Sequence, residues 1–265
     1  MTSISVAELS TGQLARLAIR DGRFNGSTAG VAAGYVQANV TIVPAAYAQD
    51  FRAFCEANPK PCPVLAVGQP GSPFFPTLGQ DVDVRTDIPQ YLVFEDGLEV
   101  AKVSNLKSLW SGDLVAFALG CSFSFDHMLV AAGVSVRHVS RHSNGAMWRT
   151  TIQTIPSGPF HGPLVVSMRP IKQRDLERTV RITESLPAAH GAPIHWGSAA
   201  PLGIADLSTP DYGDPIPLES DDVPVFWACG VTAQVAVGHA RIPFAITHSP
   251  GCMLVTDLKI EALDR

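Results

Sequence analysis

The sequence predicts an α/β protein: a two-lobed mixed α/β (α+β) fold with a central mixed sheet and a smaller inserted α+β lobe. Three observations lead there. Short apolar runs bounded by Gly and Pro alternate with segments of helical spacing. The alternation breaks once, where three strand-like segments follow one another between Val134 and Pro170. The 265 residues, 46% apolar and only 16% charged, suffice for one large domain or for two lobes around a shared core. The chain is read as a single domain over 1–265, with a main lobe from 1–111 plus 188–265 and an inserted lobe over 112–187.

The elements follow in order. In "TGQLARLAIRDG", Leu14, Leu17 and Ala18 keep helical spacing and Gly22 can stop the helix. The small residues of "FNGSTAGVAAGYVQANVTIVP" allow close backbone approach. "PAAYAQDFRAFCEANP" predicts a second helix, with Tyr47, Phe51, Phe54 and Cys55 on one face and Pro59 barring continuation. "PVLAVG" reads as a buried strand. "YLVFEDGLEVAKV" reads as a hairpin, because Asp96-Gly97 supplies the positive φ angles of a tight turn. The strand "DLVAFALG" runs into a helix, "CSFSFDHMLVAAG". The three strand-like segments are "VSVRHVS", "MWRTTIQTI" and "GPLVVSMRP", and a polar helix, "KQRDLERTVRITESL", follows. A Pro-rich stretch then gives way to a strand "PVFWACG", a helix "TAQVAVGHA" and the strands "FAITH" and "MLVTD".

Composition removes several function classes. A net charge of −5 without a dense basic cluster gives nucleic-acid binding little support. No apolar run reaches the length of a membrane span, and the first residues lack the charged start and apolar core of a secretory signal. Five cysteines without a CxxC pair read as free thiols in a reducing, cytoplasmic setting. The chain has no GxGxxG after a strand, no phosphate loop, no HExxH and no GxSxG, so nucleotide cofactors and familiar hydrolases lose support.

Five places could carry chemistry. In "ALGCSFSFD" a buried strand ends at Gly120, and Cys121, Ser122 and Ser124 open a helix. Such a junction favours anions and can lower a thiol pKa, although a plain N-cap and a buried thiol explain it as well. "FWACGVTAQ" repeats the layout with Cys229 and with Thr232 as N-cap. In "VRTDIPQY", Arg85 can grip a carboxylate while Asp87 orients it, unless the pair is a surface ion pair. The loop "APIHWGSAAPLGIADLSTPDYGD" holds His195, Asp206, Asp211, Tyr212 and Asp214. "ITHSPGCMLVTD" holds His248, Thr256 and Asp257 around a Pro250-Gly251 turn, and His with Asp at strand ends suits acid–base work or metal binding. The remaining histidines (His127, His138, His142, His161, His190, His239) read as structural.

Taken together, "GSTAGVAAGYVQANV", "VRTDIPQYLVFEDG", "GCSFSFD", "MWRTTI", "GPLVVSMRP", "PDYGD", "PVFWACGVTAQ" and "ITHSPGCMLVTD" resemble a bacterial hydro-lyase family related to D-glutamate cyclase. The resemblance runs from about Gly22 to Asp257 with the blocks in order. It implies carbon–oxygen lyase chemistry on a small carboxylate or amino acid; the related cyclase turns D-glutamate into 5-oxo-D-proline with loss of water. On that footing His248 with Asp257 is expected to act as acid and base. Arg85, Asp87, Ser122 and Ser124 hold substrate, joined by Cys229, Thr232, Thr256, His195, Asp211 and Tyr212. Cys121 or Cys229 is a lesser candidate, for a thioester route. A divalent metal on His195, His248, Asp206 and Asp257 stays open, as does a homo-oligomer. A non-catalytic amino acid or 5-oxoproline binder is the alternative. One departure stands out: Ser198 occupies a place after His195 where the family pattern has an acidic residue.

Overall fold

The computed structural model describes residues 4–141 and 143–263; His142, expected to be structural, lies outside them. In chain order the elements are α1 (Gly12–Arg20), β1 (Tyr35–Pro44), α2 (Ala45–Ala57), β2 (Val64–Val67), β3 (Tyr91–Glu95), β4 (Leu98–Val103), β5 (Leu114–Gly120), α3 (Phe123–Ala131) and α4 (Arg137–Ser140). They continue with β6 (Met147–Gln153), β7 (Pro163–Lys172), α5 (Leu176–Glu184), β8 (His195–Trp196), β9 (Asp222–Ala228), α6 (Val231–Ala240), β10 (Ala245–His248) and β11 (Leu254–Lys259). Among the described residues the strands form two sheets. One runs β2-β5-β1-β10-β3-β4 with β11 also on β1, and the other runs β6-β7-β9-β8. Mixed helices with two sheets make an α+β fold.

β1 is the central strand, and its eight inner residues are all buried. Every pairing in both sheets is antiparallel, where a mixed central sheet was expected. The reason lies in strand order. β1 and β2 flank β5 and are each antiparallel to it, so they run the same way without touching. α2 therefore spans a strand instead of making the direct crossover of a parallel pair.

The chain leaves the first sheet after Gly120 and rejoins it at Ala245, while the second sheet takes strands from 147–228. This differs from an insertion over 112–187: β5 stays in the first sheet, and β8 and β9 belong to the second. α6 packs between the sheets. Ala233, Ala236 and Val237 join Phe117 and Leu119 of the first sheet, and Val231 and Val235 join Met147 and Val165 of the second.

Several local expectations are met. Asp96 and Gly97 both have positive φ, 48° and 80°, so the β3–β4 hairpin turns as the Asp-Gly pair predicts. Phe51, Phe54 and Cys55 of α2 are buried. Others are corrected. β2 is an edge strand with Val64 40% exposed, because only β5 covers it. "VSVRHVS" forms the short helix α4 instead of a strand. α1 buries Ala15, Ala18 and Ile19, whereas Leu14 and Leu17 stay exposed. Its orientation is set by Arg16, which is fully buried and donates to both carboxylate oxygens of Asp257 at 3.0 and 2.8 Å. Arg20 from the next turn grips Asp87 at 2.6 and 2.7 Å, and Asp81 joins both arginines. A buried guanidinium must be matched by carboxylates, so this network outweighs the placement of two leucines.

"ITHSPGCMLVTD" does not reverse the chain. Thr247 pairs with Thr41 and Leu254 with Ala38, so β10 and β11 continue along the same edge of β1. The residues between them bulge out of the sheet. The excursion closes with Cys252 N–H donating to Ser249 O at 2.9 Å and is tied down where Thr28 N–H donates to Gly251 O at 2.8 Å.

Candidate active site

The excursion, the two strand–helix junctions and the second sheet meet around one cavity. The cavity is small and partly open to solvent. Cys121, Ser122 and Phe123 come from the β5–α3 junction, and Cys229 and Val231 from the β9–α6 junction. Asn39 of β1 forms the floor, Ser167 and Arg169 of β7 one wall, and His138 with Asn144 another. The bare Gly230 makes this possible: a Cβ there would fall on the Asn39 amide. Asn39 Nδ2 donates to Gly120 O at 2.7 Å, which fixes its side chain.

Arg169 dominates the electrostatics. It is 2% exposed and lies over the rings of Phe125 and Trp227, 4.8 and 5.2 Å from their centroids. Its Nε donates to Asp126 Oδ1 at 2.7 Å and its Nη2 to Asp126 Oδ2 at 3.1 Å, a two-pronged pair with α3. Nη2 also donates to Ser122 Oγ at 3.0 Å, and Nη1 only to Ser167 Oγ at 3.3 Å, which leaves Nη1 the least engaged edge. Burial opposes charge on Asp126, but the Arg169 guanidinium and His138 win, holding its carboxyl down at about 2.

His138 completes the cluster. The helical turn of α4 points its Nε2 at Asp126 Oδ2, 2.8 Å away, and stacks its ring on Phe123 at 5.6 Å between centroids. Because Asp126 is ionised, the proton of that hydrogen bond sits on His138 Nε2. Among the described residues Nδ1 is buried without a partner, and so is Oδ1 of Asn144 on the same cavity. Buried polar atoms are nearly always paired, so two orphans beside one cavity mark it as a place that receives a polar ligand.

A protein-family model described as D-glutamate cyclase matches residues 115–257, more than half of the chain. The chain belongs to the D-glutamate cyclase family. Bacterial relatives agree over nearly its whole length. A protein of Verminephrobacter eiseniae named "Putative hydro-lyase" is 57% identical over 92% of this chain and 89% of its own. Proteins of the same name type from Methylobacterium radiotolerans and Rhizobium johnstonii are 55% and 54% identical, over 92% and 94% of this chain and 90% and 92% of theirs. The resemblance read from the sequence is borne out, and the chain is an enzyme of the hydro-lyase kind. A solved structure of a nitrogen repressor-like protein from Methanococcus jannaschii gives a TM-score of 0.40 at 11% identity, covering 94% of this chain and 99% of that one. That distance carries no argument about the site. The family match spans every cavity residue named above except Asn39.

The structure brings some of the expected site residues together and separates others. Cys121, Ser122 and Cys229 line the cavity. Burial, however, pushes the Cys121 thiol up to about 12 and that of Cys229 to about 11, the opposite of a helix-activated thiolate. Ser124 lies just behind, its Oγ accepting from Gln37 N–H at 3.0 Å. Gly230 takes the N-cap place expected for Thr232, whose Oγ1 instead accepts from Val165 N–H at 3.0 Å. Tyr212 meets Arg149, which donates to its hydroxyl at 2.6 Å, and Asp211 accepts from Arg149 N–H.

The pairing expected for His248 and Asp257 does not form. Val40, Ile42 and Ile246 belong to the core on one face of the first sheet, and Val43 and Ala245 to the core on the other. Alternation puts His248 on the face of Ile246, away from Asn39 and the cavity. Its Nδ1 lies 3.2 Å from both backbone N and O of Val40, and burial lowers its pKa to about 4. Asp257 is taken by Arg16, and Thr256 donates to Val36 O at 2.8 Å. Arg85 is held by Asp83 at 2.7 Å over the Phe74 ring, while Asp87 serves Arg20.

The metal set also disperses. His195 donates through Nε2 to Ser198 O and Asp206 is turned onto Ser208. Among the described residues, Glu219, Asp221 and Asp222 are the one group of three whose ligand atoms converge, and Lys172 already pairs with all three.

The sequence reasoning missed Asp126, His138, Asn144, Arg169 and Asn39. A signal existed for two of them. Arg169 interrupts the apolar strand "GPLVVSMRP" and Asp126 the apolar helix "FSFDHML". A charge inside an apolar run is buried only with a partner, and these two are opposite in sign.

Proposed function

We propose that this chain removes water from a small amino dicarboxylate, closing it to a lactam as in the conversion of glutamate to 5-oxoproline, within the cavity beside Arg169. The observation that carries the reading is the immobilised, buried guanidinium of Arg169, whose Nη1 is its least engaged nitrogen, lining a cavity with unpaired polar atoms. It supplies a fixed donor for the carboxylate that does not react, with Asn39 and Asn144 as neutral hydrogen-bonding partners for the rest of the substrate.

The reaction balances within the substrate. The ammonium nitrogen gives up two protons and forms a C–N bond to the side-chain carboxyl carbon. One C–O bond of that carboxyl breaks, and the departing oxygen takes both protons and leaves as water. A protein group that relays both protons in turn from nitrogen to oxygen is therefore enough, and the balance calls for no redox or nucleotide chemistry. The high thiol pKa values of Cys121 and Cys229 argue against a thioester route.

The test is direct. Purified protein is incubated with D-glutamate and with L-glutamate, with and without added divalent metal, and 5-oxoproline is followed by mass spectrometry. Enzyme-dependent product from one enantiomer, lost in Arg169→Met, supports the reading. Absence of product from both enantiomers under all conditions rejects it.

A further inference from the structure

We infer that His138 is the proton-transferring group of this cavity, acting through Nδ1, and that Asp126 is the positioning residue that keeps the proton on Nε2. The inference rests on the reading that a dehydration takes place beside Arg169. Three features lead to it. His138 is 1% exposed, so its ring is held by packing on Phe123 and not by solvent. Its Nε2 is committed to a carboxylate 2.8 Å away, and that carboxylate is locked by two bonds from Arg169. Its Nδ1 has no partner among the described residues, while the ring lines the cavity. A buried carboxylate, an imidazole oriented through one nitrogen and a free lone pair on the other form the arrangement that makes imidazole a directed base.

The chemistry follows from that tautomer. Nδ1 takes a proton from the substrate ammonium, so the ring becomes an imidazolium stabilised by Asp126 across the Nε2 hydrogen bond. The amine attacks the carboxyl carbon and Nδ1 returns that proton to one carboxyl oxygen. Nδ1 then takes the second proton from the new C–N nitrogen and delivers it to the same oxygen as the C–O bond breaks, so that water leaves and a neutral lactam remains. Asp126 keeps its negative charge throughout, because Arg169 holds it ionised. Asn144 Oδ1, also unpaired and on the same wall, is placed to accept from the ammonium and aim it. Ser122 and Cys121 are not needed for the proton.

The experiment combines a variant with a measurement on the unaltered protein. His138→Gln keeps an amide N–H to donate to Asp126 but has no base at the Nδ1 position. The expected result is a fall in kcat of about 10²–10⁴-fold with KM within a few-fold, at a melting temperature near that of the parent. In parallel, ¹⁵N NMR of the histidine-labelled protein should show His138 protonated on Nε2, with its Nδ1 resonance moving on addition of glutarate. A kcat in His138→Gln within three-fold of the parent, or a proton resident on Nδ1, overturns the inference. Should neither glutamate enantiomer be turned over, the cyclase reading falls on its own. The Nδ1 response to glutarate then decides for the placement of His138: movement supports a ring that meets a carboxylate bound in the cavity, and no movement overturns the inference.

Discussion

Replacing Asp126 by Asn tests how the cavity is held together. The amide has the shape of the carboxylate but no charge, so Arg169, 2% exposed and packed over two aromatic rings, keeps a charge with no counter-ion. Breaking a buried pair in this way costs about 3–5 kcal/mol. At roughly 2–4 °C per kcal/mol for a domain of this size, the melting temperature should drop by about 6–20 °C. The pH dependence gives an independent figure. The Asp126 carboxyl lies at about 2 in the folded state against an ordinary 3.8. A folded pKa below the unfolded one adds stability that is complete above pH 3.8 and is lost as pH falls toward 2, worth roughly 2–3 kcal/mol. Thermal unfolding by circular dichroism at pH 7, with urea titrations from pH 2 to 5, measures both. Asp126→Asn should melt low and lose its part of the acid slope, and a second change, Arg169→Met, should restore part of the loss. A single variant melting within 2 °C of the parent would show that the pair does not carry this load.

Two further predictions concern residues singled out from the sequence. Burial lowers the His248 and His190 pKa values to about 4 from 6.5, so each adds stability that is complete above pH 6.5 and is lost as pH falls toward 4, on the order of 3 kcal/mol apiece. His248→Phe should flatten that slope in a urea titration while leaving turnover within a few-fold; loss of turnover in a folded variant would return His248 to the mechanism. With thiols at about 12 and 11, Cys121 and Cys229 should be almost entirely protonated at pH 8 and react with a thiol-specific disulfide reagent only after denaturation, so fast labelling of either in the native protein counts against the burial argument.

What the sequence made legible was local. The Asp96-Gly97 turn, the buried face of α2 and the strand-to-helix step at Cys121 each depend on neighbours within a few residues. The family resemblance reached further because it drew on ordered blocks across the chain. The site was hidden because Asp126, His138 and Arg169 come from three elements, two of them 43 residues apart, and only the fold closes that gap. For the converse reason the expected pairing of His248 with Asp257 does not form. They stand near each other in sequence, but the excursion after His248 and the pull of Arg16 on Asp257 send them to different surroundings. Arg16 shows the same effect in α1, where a buried ion pair overrode the apolar spacing of Leu14 and Leu17.

The interrupted strand also bears on how the molecule assembles. β1 is made early in synthesis, but one whole edge of it waits for residues 245–259. Until those arrive, the middle of the chain can pair its own strands, yet the cavity lacks the wall that Gly251 and Met253 provide. Closure over such sequence distances is slow, and an open edge of apolar, β-branched strand is a place for wrong pairing in the meantime. The strand edge and the cavity wall are thus completed by the same late segment. A small carboxylate that fits the finished cavity should therefore raise the yield of refolding more than it raises the rate.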